Sequence, residues 1–300
     1  MNNQKKSFKS KLNPSNLKKS LKFRFENKFF LEQWFLIFNL EKNQNLNSLE
    51  QFKQIIPPKD RFWADPHIIL KDGIFYIFFE EYIYENERGN ISLMKLDQNG
   101  NLSKPIIVLE ENFHLSYPHI FEYDDQMYMI PETHEKKTIQ AYRCIDFPEK
   151  WKLDKILFNN IDAVDSTILQ YHDKWWLFTG IKNEMKSDWN DLHIFYSENP
   201  ISENWVSHPM NPIKINNRNS RSAGKIFLKN NVLYRPAQIS TEDEYGKGII
   251  INEIKLLNET EYYEEEVQII KPWSKKIKGI HTINFENGLT VLDSKWHRKK

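Results

Sequence analysis

Five times along this chain an apolar strand runs into a two- or three-residue polar turn, and a second apolar strand returns. The copies are ADPHIILKDGIFYIFFEE from Ala64, SYPHIFEYDDQMYMIPET from Ser116, VDSTILQYHDKWWLFTGI from Val164, SAGKIFLKNNVLYRPAQ from Ser222 and GIHTINFENGLTVLDSK from Gly279. Their turns KDG, DDQ, HDK, KNN and ENG carry the Asp, Asn and Gly residues that accept positive φ in hairpins. Aligned on the turns, Asp65, Tyr117, Asp165, Ala223 and Ile280 share one position, at successive spacings of 52, 48, 58 and 57 residues. A period of about 50 residues, with room for four strands per unit, predicts a β-propeller.

Further apolar segments fill the units: NISLMKLD and KPIIVLEE in the first, TIQAYRCI and DKILFNN in the second, LHIFYSEN in the third. The fourth adds GIIINEIKLL and YEEEVQII, whereas the fifth ends at Lys300 with space for two strands. The segment FFLEQWFLIFNL from Phe29 has no hairpin of its own. It is expected to supply the missing outer strand of the last blade, because an open ring would leave a bare sheet edge. The expectation is therefore an all-β, five-bladed β-propeller over 25–300, with 25–57 completing the last blade.

Composition agrees. With 40% hydrophobic residues the chain can bury a core, and the 14% aromatic content suits pleated sheets. A lone Cys144 excludes an intramolecular disulfide framework and an all-cysteine zinc site. No apolar run reaches a bilayer span, and no secretory signal follows the start, so a soluble, cytoplasmic protein is expected. Residues 1–24 hold seven Lys, Arg24 and no acid, leaving −7 on the remainder of a chain whose net charge is +1. Such an arm reads as a solvated tail or as an attachment to an anionic membrane surface. The acidic body behind it argues against nucleic acid.

In a propeller the first strand of each blade lines the axis, so Asp65 and Asp165 converge despite lying 100 residues apart in sequence. Convergent carboxylates suit glycosyl chemistry, one as base or nucleophile and another as electrostatic stabiliser. Glu80 and Glu132 end the second strands of the first two blades, and either could donate a proton. The alternative for all four is a local hydrogen-bonding or solvated strand-end role. His67 and His119 share a repeat position, and strand parity puts His67 on the same face as Asp65. With His281 they could bind sugar hydroxyls, or simply plug the channel. A divalent metal there has no ligand-spacing motif behind it.

Only eight of the 42 basic residues are Arg, yet Arg218, Arg221 and Arg235 cluster in blade four. A guanidinium fork fits phosphate, so Arg221 and Arg235 are candidates for a sugar-phosphate or nucleotide-sugar ligand; the alternative is an ion pair with a carboxylate such as Asp165. Trp63, Tyr117, Trp175, Trp176 and Tyr234 offer either stacking faces for sugars or packing between blades.

FWADPHI followed by KDGIFYIFFEE resembles the first blade of the five-bladed glycoside hydrolases of families 43 and 32. That resemblance implies base or nucleophile for Asp65 and the second carboxylate for Asp165. The glutamic acid donor of those families has no counterpart, since blade four shows Arg218, Ser220 and Arg221. A longer match covers nearly the whole chain: EQWFLIF, FWADPHI, HLSYPHIF, YMIPET, YRCIDFPEKW, DSTIL, WWLFTG, RSAGKIF, YRPAQ and GIHT. In this order they resemble the N-terminal propeller of plant glucosamine inositolphosphorylceramide transferases and its stand-alone bacterial relatives. The plant proteins carry their recognised catalyst in a separate glycosyltransferase domain, which nothing here resembles. The combined expectation is a carbohydrate-active propeller in glycan or glycolipid assembly, transferring a glycosyl group from a phosphate-bearing donor. In it Asp65 is base or nucleophile, Asp165 the stabiliser and Glu132 the acid. Hydrolysis by the same carboxylates, or glycan binding without turnover, are the competing outcomes.

Overall fold

In the computed structural model, residues 30–41, 46–183, 188–216, 218–240 and 245–300 are described. The basic arm over 1–24 lies outside the described residues, as does 25–29. Strands β1 (Phe30–Leu40) and β2 (Lys53–Ile55) come first. Blade one holds β3 (Arg61–Lys71), β4 (Ile74–Ile83), β5 (Arg88–Leu96) and β6 (Ile106–Leu109). Blade two holds β7 (Ser116–Tyr123), β8 (Gln126–Glu132), β9 (Thr138–Asp146) and β10 (Lys150–Asn159). Blade three runs through β11 (Ala163–Tyr171), β12 (Lys174–Asn183) and β13 (Asp188–Ser197), with β14 (Val206–Ser207) and β15 (Lys214–Ile215) both on the edge of β13. Blade four holds β16 (Phe227–Lys229), β17 (Val232–Ile239), β18 (Gly248–Leu257) and β19 (Tyr262–Ile270). Blade five begins with β20 (Ile277–Gly279) and β21 (Ile283–Glu286), which both pair with β22 (Leu289–Lys299).

The ring closes as the shortfall of strands required. β1 pairs antiparallel with β22 from Phe30↔Lys299 to Leu40↔Leu289, and β2 adds the outer edge. Alternate side chains of β1 point into two different cores. Phe35 and Ile37 pack with Ile249, Ile251 and Ile283 between blades four and five, while Leu36 and Phe38 pack with Ile68, Ile77 and Val291 between blades five and one. Burial on both faces explains why the centre of this strand, Trp34–Phe38, reads as a continuous apolar run rather than an alternating one. Phe35, Leu36 and Ile37 are wholly buried, each contributing about 1.5–3 kcal/mol.

The hairpin turns take the backbone that their residues allow. Asp72 and Gly73, Asp124 and Asp125, Asn230 and Asn231, and Asn287 and Gly288 all have positive φ, as two-residue turns between twisted strands require. A second set of positive φ values bears on the site. Asp65, Tyr117 and Asp165, the shared repeat position of blades one to three, stand at φ 51°, 43° and 52°. Each marks a break in register with the second strand, between Ala64 and His67, Ser116 and His119, and Val164 and Thr167. These are β-bulges, which re-aim side chains by inserting an unpaired residue.

Candidate functional site

The three bulges open onto one cavity of about 190 Å³ at an end of the propeller axis, lined by Asp65, Glu80, Glu132, Asp165, Arg221 and His281 together with Trp34, Phe62, Ala64, His114, Ser116 and Tyr245. At ~30 Å³ per water this is room for about six waters, the bulk of a single sugar ring. The sequence-derived residues Asp65, Asp165, Glu132, Arg221 and His281 thus meet in one place, with Glu80 beside them.

Each carboxylate has a different environment. Asp165 Oδ2 accepts hydrogen bonds from Arg221 Nε at 2.8 Å and Gln238 Nε2 at 3.1 Å, and Arg221 Nη2 lies 2.7 Å from the same oxygen. Asp65 Oδ1 accepts from Thr282 Oγ1 at 2.6 Å and lies 3.8 Å from His281 Nε2. Burial, with Asp293 and Asp165 nearby, pushes Asp65 up to about 6 against the opposing charge of His281. Glu132 is pushed up to about 8 by burial and by Asp165, with Arg221 acting the other way. Burial, followed by the charges of Asp65 and Glu132, also raises Glu80 well above the carboxylate range. Its nearest basic neighbour among the described residues is His114, with Nε2 at 3.4 Å. The cavity therefore offers an anion fixed by arginine and two carboxyl groups biased toward the neutral acid.

Several candidates fall elsewhere, for identifiable reasons. Strand parity put His67 beside Asp65, but the bulge between them cancels it. His67 is wholly buried, edge-on to Tyr117 at 4.6 Å and to His119 at 5.5 Å. His119 Nε2 lies 3.0 Å from the Ile168 carbonyl, and burial, followed by Lys225, holds its pKa down at about 3. The Tyr117 hydroxyl meets Thr167 Oγ1 at 2.8 Å, donates to the Gly224 carbonyl at 3.1 Å and accepts from the Gly224 N–H at 2.9 Å. Contact from blade two to the non-adjacent blade four, as between Tyr117 and Gly224, is possible only at the axis. These three residues plug the hub below the cavity rather than line it. Gly224 is required there: at φ 128°, a Cβ would stand 2.0 Å from the Ile283 carbonyl oxygen.

Trp63 also turns away. Its Nε1 donates to Glu81 Oε1 at 3.0 Å and its ring packs edge-on against Phe79 in the core between blades five and one; its neighbour Phe62 faces the cavity. Arg235 is 0% exposed and grips Glu264 through Nε and Nη2 at 2.8 and 2.6 Å, away from the cavity. Arg218 is exposed and pairs with Glu266. No phosphate-wide gap separates guanidinium from carboxylate at Arg221, because the two are in contact. The two-arginine phosphate site is thus corrected to one structural pair within blade four and one pair inside the cavity.

The repeat gave no sign of Tyr245, His114 or Trp34 as cavity residues. Tyr245 packs on the Arg221 guanidinium at 5.0 Å, and Trp34 stacks on His281 at 4.0 Å. Asp293 is a further site residue, and its sequence signal is a lone acid within the strand segment TVLDSK. Donor atoms of Asp65, His281 and Asp293 lie within 4.8 Å of one another, the spacing of a cation site. Both Asp293 oxygens, however, already accept backbone N–H groups, from Asp65, His281 and Thr282. The Asp293 carboxylate is thus engaged by the protein's own backbone.

Comparison with known proteins follows the same lines. A glucosamine inositolphosphorylceramide transferase 1 of Oryza sativa subsp. japonica is 34% identical over 212 residues, covering 69% of this chain and 28% of the relative. The chain thus spans under a third of the length of that curated relative. The catalytic domain of the Coprinopsis cinerea family 62 α-L-arabinofuranosidase superposes with a TM-score of 0.54 at 12% identity, over 78% of this chain and 90% of that one. A family 43 glycoside hydrolase, BlXynB of Bacillus licheniformis, gives 0.53 at 14% identity, over 71% and 47%. At such identities the likeness is one of fold. Residues 53–291 match the family described as "Glucosamine inositolphosphorylceramide transferase 1, N-terminal", and the chain belongs to that family.

Proposed function

We propose that the cavity is a carbohydrate site that takes one sugar residue and carries out acid–base chemistry at its glycosidic carbon, in glycan or glycolipid assembly. The observation that carries the reading is the difference between two carboxyl groups that share one small cavity: Asp65, opposed by the charge of His281, is pushed up to about 6, whereas burial and Asp165 push Glu132 up to about 8. Groups pushed apart in this way divide into acid and base. In this reading Glu132 protonates the leaving oxygen, Asp65 takes the proton of the incoming hydroxyl, and the Asp165 carboxylate stabilises positive charge at the anomeric carbon. Trp34, Phe62 and Tyr245 supply apolar faces for the ring.

The rice relative is named as a transferase, which favours transfer to a glycan or glycolipid hydroxyl over release to water. Recognition of a donor phosphate inside this cavity is not part of the reading, since Arg221 is engaged by Asp165. A thermal-shift screen of monosaccharides, methyl glycosides and nucleotide sugars tests it. At a hundredfold excess over Kd a bound sugar adds about 2.7 kcal/mol of apparent stability. Protection by a sugar that disappears in Asp65→Asn and Glu132→Gln supports the reading; protection by phosphate compounds alone, or unchanged in both variants, sinks it.

A further inference from the structure

We infer that His281 and Asp293 form a couple that sets the charge of Asp65: Asp293 is a positioning residue behind the imidazole, and His281 supplies the cation that keeps Asp65 the anion of the site. The inference rests on the reading of Asp65 as the base, but its first readout does not.

The geometry leaves the ring little freedom. Asp293 is 0% exposed in β22 and its carboxylate is fully engaged. Oδ1 accepts the N–H groups of His281 and Thr282 at 2.9 and 3.0 Å, and Oδ2 accepts the Asp65 N–H at 3.0 Å. The same Oδ2 lies 2.5 Å from His281 Nδ1. A proton on Nδ1 is therefore directed at Asp293, and the opposite ring nitrogen, Nε2, faces Asp65 Oδ1. Trp34 covers one face of the ring at 4.0 Å and 14°, and Tyr245 stands edge-on at 5.1 Å and 88°. An acid behind an imidazole, fixing which nitrogen faces the reacting group, is the logic of an orienting aspartate.

Electrostatics assign the couple its task. The groups that act on Asp65 from the surrounding blades are Asp293 and Thr282 of blade five, Asp165 of blade three, and the Glu80 and Glu132 carboxyls of blades one and two. Arg221 is committed to Asp165, so the positive charge opposed to Asp65 is that of His281. Burial works against protonation of His281, but the Asp293 and Asp65 carboxylates prevail and raise it above its ordinary value. Because Asp293 also receives the Asp65 N–H, one carboxylate ties the bulge of blade one to the start of the blade-five hairpin and aligns both partners.

The test is a carboxyl and imidazole NMR titration on the full chain, with Asp65→Asn to assign the Asp65 carbon. In His281→Gln, which keeps an amide donor but no charge, the Asp65 midpoint should rise by about one pH unit or more, a tenfold gain in proton affinity. In Asp293→Asn the His281 midpoint should fall by about as much, with its preferred tautomer lost. An Asp65 midpoint unchanged in folded His281→Gln overturns the inference. Should that variant not fold, the nitrogen shifts of His281 in the unsubstituted protein decide. Both nitrogens protonated beyond pH 6.5 uphold the couple, and a ring already neutral below its ordinary value overturns it. These titrations need no sugar. Sugar binding with an unmoved Asp65 midpoint sinks the couple alone, whereas the expected midpoints without any sugar binding sink the carbohydrate reading alone.

Discussion

Arg235→Ala separates a structural arginine from a ligand-binding one. The wild-type guanidinium makes four hydrogen bonds: two to Glu264, one to the Asn219 carbonyl at 2.7 Å and one to the Ser220 carbonyl at 3.3 Å. Removing it takes the arginine from a carboxylate that is 1% exposed. Breaking a buried pair from one side costs about 3–5 kcal/mol, because the remaining charge has lost its compensation. Glu264 still keeps Lys214 Nζ at 2.5 Å and the Tyr262 hydroxyl, which favours the lower end, about 3 kcal/mol. For a chain of this size that corresponds to a fall in Tm of roughly 5 °C. Urea and thermal unfolding measure the loss, and titration of a sugar that protects the parent protein measures the site. The expected outcome is a large loss of stability with sugar affinity unchanged above the new midpoint of folding. Full stability combined with lost affinity for a phosphorylated ligand would refute the assignment and restore Arg235 to the binding site.

Other consequences follow from the same structure. Glu132 is 9% exposed and is raised from 4.5 to about 8, so the stability of its neutral form is present below 4.5 and is lost as pH rises through about 8. Glu132→Gln stays neutral throughout, and between pH 4 and pH 9 its stability should gain on the parent by at most about 5 kcal/mol; a pH-independent difference in denaturation contradicts this. Turnover, measured with a sugar that binds, should rise as Asp65 ionises through about 6 and fall as Glu132 ionises through about 8. A profile flat over that interval excludes the pair as base and acid. Ile37→Ala empties a wholly buried site between blades four and five and should cost about 2–5 kcal/mol by chemical denaturation; a loss under 1 kcal/mol would mean β1 is not holding the ring.

Much of the architecture was legible because hairpin chemistry is local. Asp72-Gly73 and Asn287-Gly288 announce turns wherever they occur, and counting strands between them exposed the deficit that β1 fills. The site was legible as far as the repeat carried it: one repeat position brings Asp65 and Asp165 to the same mouth of the axis. What parity could not foresee is the bulge. A positive φ at Asp65, Tyr117 and Asp165 leaves no mark in composition, yet it sends Asp65 to the cavity and His67 into the hub. The role of Arg235 is not visible in the sequence because its partner, Glu264, sits two strands away in β19, a pairing that depends on register. Tyr245 and His114 reach the cavity from connections outside the repeated hairpins, where no periodic signal exists.

In the proposed function Asp65, Glu132 and Asp165 together receive a sugar. Calorimetric titration of the protein with the monosaccharide that best protects it, repeated on Asp65→Asn, Asp165→Asn and Glu132→Gln, tests whether they do. One sugar should bind per chain of the parent protein, and each variant should lose at least about tenfold in affinity, near 1.4 kcal/mol. Binding of the same sugar with undiminished affinity in all three folded variants would contradict the proposed function.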